Sequence, residues 1–227
     1  MPTQPTTRIF LVRHGATSLS AEDRFAGAID PDLSPKGIFQ AQRLAERLSN
    51  DAIRAVHCSP MVRTVQTATI LAAPHRLTPI VRDGLREIGH GHWEGMRRVE
   101  VEAQYADEYA AWDEDPFTFA PQGGEAGVNV IARALPVIRE IVLQHRGQNV
   151  LVVSHKATIR LLISSLLGFD VRGYRDRLDQ SPACLNVLDF KDPVRARLML
   201  FNDVSHYEDT PQRSSGQLSK WWDEAKG

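Results

Sequence analysis

Cysteine is nearly absent: the 227 residues hold 2, Cys58 and Cys184, with no CxxC spacing between them. That excludes a disulfide framework and a cysteine-built zinc module, and leaves both as small buried apolar residues. An excess of charge is missing too, since 27 Lys and Arg offset 28 Asp and Glu to a formal net charge of -1. Nucleic-acid binding needs a clustered basic excess, so no nucleic-acid partner is expected. No apolar run approaches the roughly 20 residues that cross a bilayer, so no membrane partner is expected either. The opening MPTQPTTR lacks the apolar core of a secretion signal, which makes a cytoplasmic location the expectation. There is no internal repeat. What is present is a hydrophobic fraction of 42%, enough to build one globular domain over 1–227 with a real core.

Short apolar runs alternate with helical patterns, which predicts βα units on a parallel-rich sheet, an α/β fold. The strand-like runs are RIFLV (8–12), IRAVH (53–57), NVLVV (149–153), LNVLDF (185–190) and RLMLF (197–201). Ser34 and Pro35 read as the cap and first turn of a helix whose inward face is Ala41, Leu44, Ala45 and Leu48. Ser59 and Pro60 repeat that start signal before an inward face of Val62, Val65 and Thr69. A third helix shows Val128, Ile131, Ala132, Leu135, Ile138 and Val142, with a kink expected at Pro136. A fourth shows Ile159, Leu162, Ile163 and Leu166 and stops at Gly168. The tail over 208–227 is polar apart from Trp221 and Trp222. RLMLF could pair with the same strand of a second copy, which leaves a homodimer open.

Ligands of open α/β sheets sit at the carboxyl ends of the strands. Arg13 and His14 follow the first run, Arg63 falls in the first turn after Ser59, and His155 follows NVLVVS. Arg offers a planar fork to a tetrahedral oxyanion, and a helix start adds free N–H groups. Two Arg and two His in such places form a phosphate cage, with Glu87 as a nearby carboxylate.

LVRHGAT, CSPMVRTVQTA, LREIGHGHWEG, PQGGE and VVSHK, in that order, resemble the histidine phosphatase superfamily, also called the phosphoglycerate mutase-like family. The resemblance covers about 8–206 and implies three α/β/α layers around a mixed, mainly parallel sheet. It implies that His14 is the nucleophile that becomes phosphohistidine, that Arg13, Arg63 and His155 hold the phosphoryl oxygens, and that Glu87 is the general acid. Ser20, Ala26, Gly27 and Lys156 fall at substrate-binding positions. No metal and no cofactor are implied. Imidazole attacks only when neutral, a form that flanking Arg charges favour. A phosphate dianion beside Glu87 keeps the proton on that carboxyl by like-charge repulsion.

Several residues have a second reading. Glu87 can instead pair with Arg82 or Arg86, and His155 taken alone can be a structural histidine. His90 and His92 have the HxH spacing of metal ligands, although the family segment they match binds none. Tyr105, Tyr109, Trp112, Phe117 and Phe119 fit a substrate lid over 94–122 or a cover on the core. Arg172, Arg175 and Arg177 fit a solvated loop better than a carboxylate site. The chain departs from the commoner RHGET and later Asn of the family, with Ala16 and Ser20 there, and Lys156 replaces the usual Gly after the second His. That Lys excludes the acid phosphatase and phytase branch, which has Asp there.

The YGxLxGLNK-like segment of the mutases is lacking, and the stretch 99–115 is acidic. The expectation is therefore a metal-independent phosphomonoesterase for a small phosphorylated metabolite such as a sugar phosphate or phosphoserine. Mutase-type transfer and phosphoprotein hydrolysis are the alternatives, and a non-catalytic phosphate binder would have no use for both a nucleophile and a proton donor.

Overall fold

All five apolar runs become strands of one sheet: the first four carry side chains buried on both faces, whereas RLMLF is a partly buried edge with Met199 exposed. The computed structural model describes residues 5–21, 24–209 and 211, and of Ser20 and Ala21 the backbone alone. Trp221 and Trp222 lie outside the described residues. The strands are β1 Thr7–Arg13, β2 Ile53–Cys58, β3 Ile80–Val81, β4 Asn149–Ser154, β5 Leu185–Phe190 and β6 Ala196–Asp203. Their order is β3-β2-β4-β1-β5-β6. The first four are mutually parallel, β5 pairs antiparallel with β1, and β6 pairs antiparallel with β5. β3, at two residues, is too short to leave a periodic signal.

Alternate residues of β1 feed two cores. Ile9 and Leu11 pack with Ile138, Ile141, Ile159 and Leu162 on one face. Phe10 and Val12 pack with Leu44, Leu48, Ala68 and Leu71 on the other. The helices that supply these residues are α1 Pro35–Leu48, α2 Val62–Ala72, α5 Gly127–Gln144 and α6 Lys156–Leu167. They sandwich the sheet as the expected three layers. Between α2 and α5 lie α3 Arg98–Gln104 and α4 Ala106–Glu114, and the short α7 Tyr174–Arg177 follows α6.

Local signals set some boundaries well. Ser34 Oγ accepts from Gly37 N at 3.1 Å, as an N-cap should, and Gly168 ends α6 at φ 72°, a left-handed angle that suits glycine. Two helix faces differ from their expected ones. In α2 the buried residues are Arg63, Thr64, Thr67, Ala68, Leu71 and Ala72, and Val62 is exposed. Its polar edge turns inward because it borders the site. In α5 the buried row includes Val130, Ala134, Ile138 and Ile141, with Val128 and Ala132 outside. That helix carries apolar residues all round, so periodicity alone does not fix its face. It runs unbroken through Pro136. The start signal at Ser59 and Pro60 is also early, since α2 begins at Val62 with Met61 as cap.

The loop after β1 is locked to α1 by two glycines. A Cβ on Gly37 would lie 2.0 Å from Ala16 O, and one on Gly15 would lie 2.5 Å from Gly37 O. Both obstacles are backbone, which cannot swing aside. Gly37→Ala should therefore cost more than about 2 kcal/mol, read as a lower urea midpoint, whereas Lys36→Ala beside it should leave the midpoint nearly unchanged.

Candidate active site

Register brings the two histidines together. Arg13 lies opposite Ser154 in the β1–β4 ladder, and His14 N donates to Ser154 O at 3.1 Å. The next residue of each strand is a histidine, and the His14 and His155 rings sit 5.3 Å apart between centroids. Both are buried. His14 Nδ1 lies 2.8 Å from Gly15 O. A carbonyl can only accept, so this contact assigns the proton to Nδ1 and leaves the Nε2 lone pair exposed to a substrate. His155 Nε2 lies 2.8 Å from Ser59 Oγ, which fixes its ring. Burial, then Arg13 and Arg63, holds His14 well below the ordinary histidine pKa of 6.5. Burial, followed by Arg63, does the same for His155. Both are neutral at pH 7.

Arg63 enters from the first turn of α2, almost fully buried. Its guanidinium donates to Ile29 O at 2.8 Å, Asp30 Oδ1 at 3.2 Å and Gly27 O at 3.2 Å. Asp30 also accepts from Val62 N at 2.7 Å, so one carboxylate aims the arginine and caps the helix that carries it. Gly27 N in turn donates to Glu94 Oε1 at 3.2 Å. Both backbone groups of Gly27 are thus engaged in holding the cage, beside the partly buried Ala26. Ser20 belongs to a single 3-10 turn, Ser18–Ala21, and its side chain is outside the described residues.

Glu87 does not pair with its neighbouring arginines. Arg86 bonds Asp83 at 2.5 Å and Arg82 bonds Glu140. The Glu87 carboxylate instead meets the start of α6, accepting from Ala157 N at 3.2 Å and Thr158 N at 3.1 Å. Those are N–H groups that a helix start leaves unpaired, and its dipole favours negative charge there. The same turn presents Lys156, whose ammonium lies 3.2 Å from Asp179. Burial, with Arg160 and Arg13 adding repulsion, brings Lys156 down to about 7. Asp179 also bonds Arg160 at 3.0 Å. Arg13 NH1 donates to Gln180 O at 2.6 Å in the same loop.

Asp30, Ser59, Thr158, Arg160 and Asp179 were not singled out from sequence. Their signals are contacts between elements, and a helix-start motif at Ser59 was the nearest hint. His90 packs edge-on against Phe25 and Trp112, and His92 lies 3.2 Å from Glu108. Among the described residues no three His, Cys, Asp or Glu side chains are grouped to hold a metal ion. Tyr109 and Trp112 form a separate small core with Phe25, Trp93 and Val101, joined at its edge by Tyr105 and Phe119. Phe117 packs elsewhere, beside Ile88 and Leu161. Arg175 is not on a solvated loop: its guanidinium is buried 3.8 Å over the Trp112 ring and bonds Asp113 at 2.8 Å. Arg172 meets Asp115 at 3.5 Å. Both cysteines are free, and burial pushes the Cys58 thiol up to about 11 and Cys184 up to about 12.

Two cations and two neutral imidazoles around a buried strand end suit a tetrahedral oxyanion and a nucleophile that attacks it. The model of the histidine phosphatase superfamily (branch 1) matches residues 9–204. Phosphoserine phosphatase 1 of Hydrogenobacter thermophilus is 37% identical over 164 residues, covering 72% of this chain and 78% of its own. Glucosyl-3-phosphoglycerate phosphatase of Mycolicibacterium vanbaalenii is 34% identical over 171 residues, covering 72% and 76%. Among solved structures, YhfR of Bacillus stearothermophilus matches with a TM-score of 0.83 at 29% identity, over 89% of this chain and all of that one (100%). With the family model spanning almost the whole sheet and both histidines, the chain belongs to the histidine phosphatase superfamily and is an enzyme of its phosphatase type.

Proposed function

We propose that the chain is a metal-independent phosphomonoesterase that hydrolyses a small phosphorylated metabolite through a phosphohistidine at His14. The observation that carries this reading is the His14 ring, neutral at pH 7, with Nδ1 tied to Gly15 O and Nε2 left for attack beside Arg63 and His155. Arg13, Arg63 and His155 take the phosphoryl oxygens, and their positions are fixed before substrate arrives. His14 Nε2 attacks phosphorus in line. The N–P bond forms as the ester P–O bond breaks, and the leaving oxygen takes the proton from the Glu87 carboxyl. Gly15 O keeps its hydrogen bond to Nδ1–H and stabilises the cationic phosphorylated ring. Charge that spreads over the equatorial oxygens meets donors already in place, which stabilises the transition state more than the ground state.

In the second half Glu87, now a carboxylate, takes a proton from water. The water oxygen attacks phosphorus, the N–P bond breaks, and inorganic phosphate leaves with His14 neutral again. Splitting hydrolysis in this way replaces one difficult displacement with two easier ones. Arg13 and Arg63 supply the positive charge that a metal ion supplies elsewhere. The two curated relatives are named for phosphoserine and glucosyl-3-phosphoglycerate, which supports a phosphorylated metabolite over a phosphoprotein. Residues 94–122 act as the lid that selects it.

Wild-type protein is expected to release nitrophenol from p-nitrophenyl phosphate in excess chelator, with His14→Ala reduced at least about 10³-fold. Turnover retained in His14→Ala overturns the covalent route, and wild-type loss in chelator overturns metal independence. Because Arg63 repels a proton on His14, Arg63→Met should move the His14 midpoint in ring NMR upward, toward 6.5. A wild-type midpoint at or above 6.5 contradicts the lowering that burial and the two arginines impose on His14. Phosphate release across a panel of phosphorylated metabolites identifies the substrate. Interconversion of phosphoglycerate isomers without phosphate release speaks for the mutase.

A further inference from the structure

The PQGGE motif has no part in the cage, yet its glutamate anchors the segment that carries the proton donor. Glu125 forms a two-pronged ion pair with Arg133 of α5, Nε to Oε1 at 2.7 Å and NH2 to Oε2 at 2.7 Å. The remaining donors of that guanidinium turn to backbone. NH1 donates to Gly84 O at 2.8 Å and Arg86 O at 2.8 Å, and NH2 donates to Glu87 O at 3.1 Å. Ser154 Oγ takes the carbonyl between them, Leu85 O, at 2.9 Å. Four successive carbonyls, from Gly84 to Glu87, are thus held by side chains of the neighbouring helix and strand. Packing leaves the segment no slack, since a Cβ on Gly84 would lie 2.5 Å from Arg133 O. The motif is itself tied down, with Glu125 N donating to Gly89 O at 2.8 Å.

We infer that Arg133, oriented by Glu125, is the positioning residue that sets the Glu87 carboxyl at the height of the leaving oxygen. The inference rests on the reading of Glu87 as general acid. A planar guanidinium can span three carbonyls and a carboxylate at once, which no other side chain can do. Its loss frees the Glu87 backbone while the cage of Arg13, His14, Arg63 and His155 stays intact. A displacement of about 1 Å at a proton donor costs on the order of 10²-fold in rate.

The test is a series of substituted phenyl phosphates, read as kcat/KM, which covers the steps through phosphohistidine formation. A poor leaving group needs the proton and a good one does not. Arg133→Met is expected to lose about 10²-fold on phenyl phosphate and less than about 3-fold on 2,4-dinitrophenyl phosphate. Arg133→Lys, which can still reach one carbonyl, should fall between and serves as the test should Arg133→Met fail to fold. Glu87→Gln runs alongside as the control for the acid itself. An equal loss of kcat/KM on both esters, or no loss on either, in the arginine variants overturns the inference while Glu87→Gln keeps its leaving-group dependence. If Glu87→Gln shows no such dependence, the general acid is misassigned and the role of Arg133 falls with it.

Discussion

Arg13 and Ser154 face each other in the ladder between β1 and β4, and the chemistry of the site rests on that pairing. Both strands are buried on both faces, with Ile9 and Leu11 committed to one core and Phe10 and Val12 to the other. A slip of one residue would exchange those faces, so the hydrophobic effect pins the register. The same register delivers His14 and His155 side by side. The two ends then need only a short turn each to complete the cage. Gly15 N bonds Thr67 Oγ1 at 3.1 Å, and Ser59 N bonds Val153 O at 3.1 Å, so β2 and α2 are fastened to the same point.

Electrostatics runs against stability here. Arg63 is buried with Asp30 bonded to it and the Glu87 carboxylate near it to offset its charge, and two imidazoles stay neutral beside it. Such groups are costly in a protein interior unless hydrogen bonds satisfy them. The loop around Gly27, Ile29 and Asp30 supplies those bonds, and the large apolar cores supply the margin. A pocket of fixed donors with spare positive charge binds a dianion without reorganising. In enzymes generally such readiness is a main source of rate.

Five of the six strands, the four long helices and the placement of Arg13, His14, Arg63 and His155 at element ends were legible because each has a local signal: a strand run, a cap, a charged residue directly after an apolar stretch. What was not legible has a common cause. Ser59 looked like a helix cap and instead steadies His155. Arg133 sat among the apolar residues of α5 with nothing local to distinguish it, and the carbonyls it holds lie 46 to 49 residues away along the chain. Thr64 and Thr67 hide the true face of α2, because a helix that borders a polar site buries hydroxyls and breaks the apolar period. Arg175 read as solvated since its neighbours Arg172 and Arg177 are charged, and the indole that covers it comes from α4.

β1 is followed by α1 and then β2, on one side of the sheet, and β4 by α6 and then β5, on the other. The chain therefore departs from the two central strands in opposite directions, and the helices that carry it lie on opposite faces. Each connection passes the other central strand on its own face of the sheet, so the winding itself leaves a crevice between them at the strand ends. Whatever roofs the crevice comes from segments elsewhere in the chain. Roof and floor can accordingly diverge at different rates: a lineage can rebuild α3 and α4 while the two strand ends and their histidines stay unchanged.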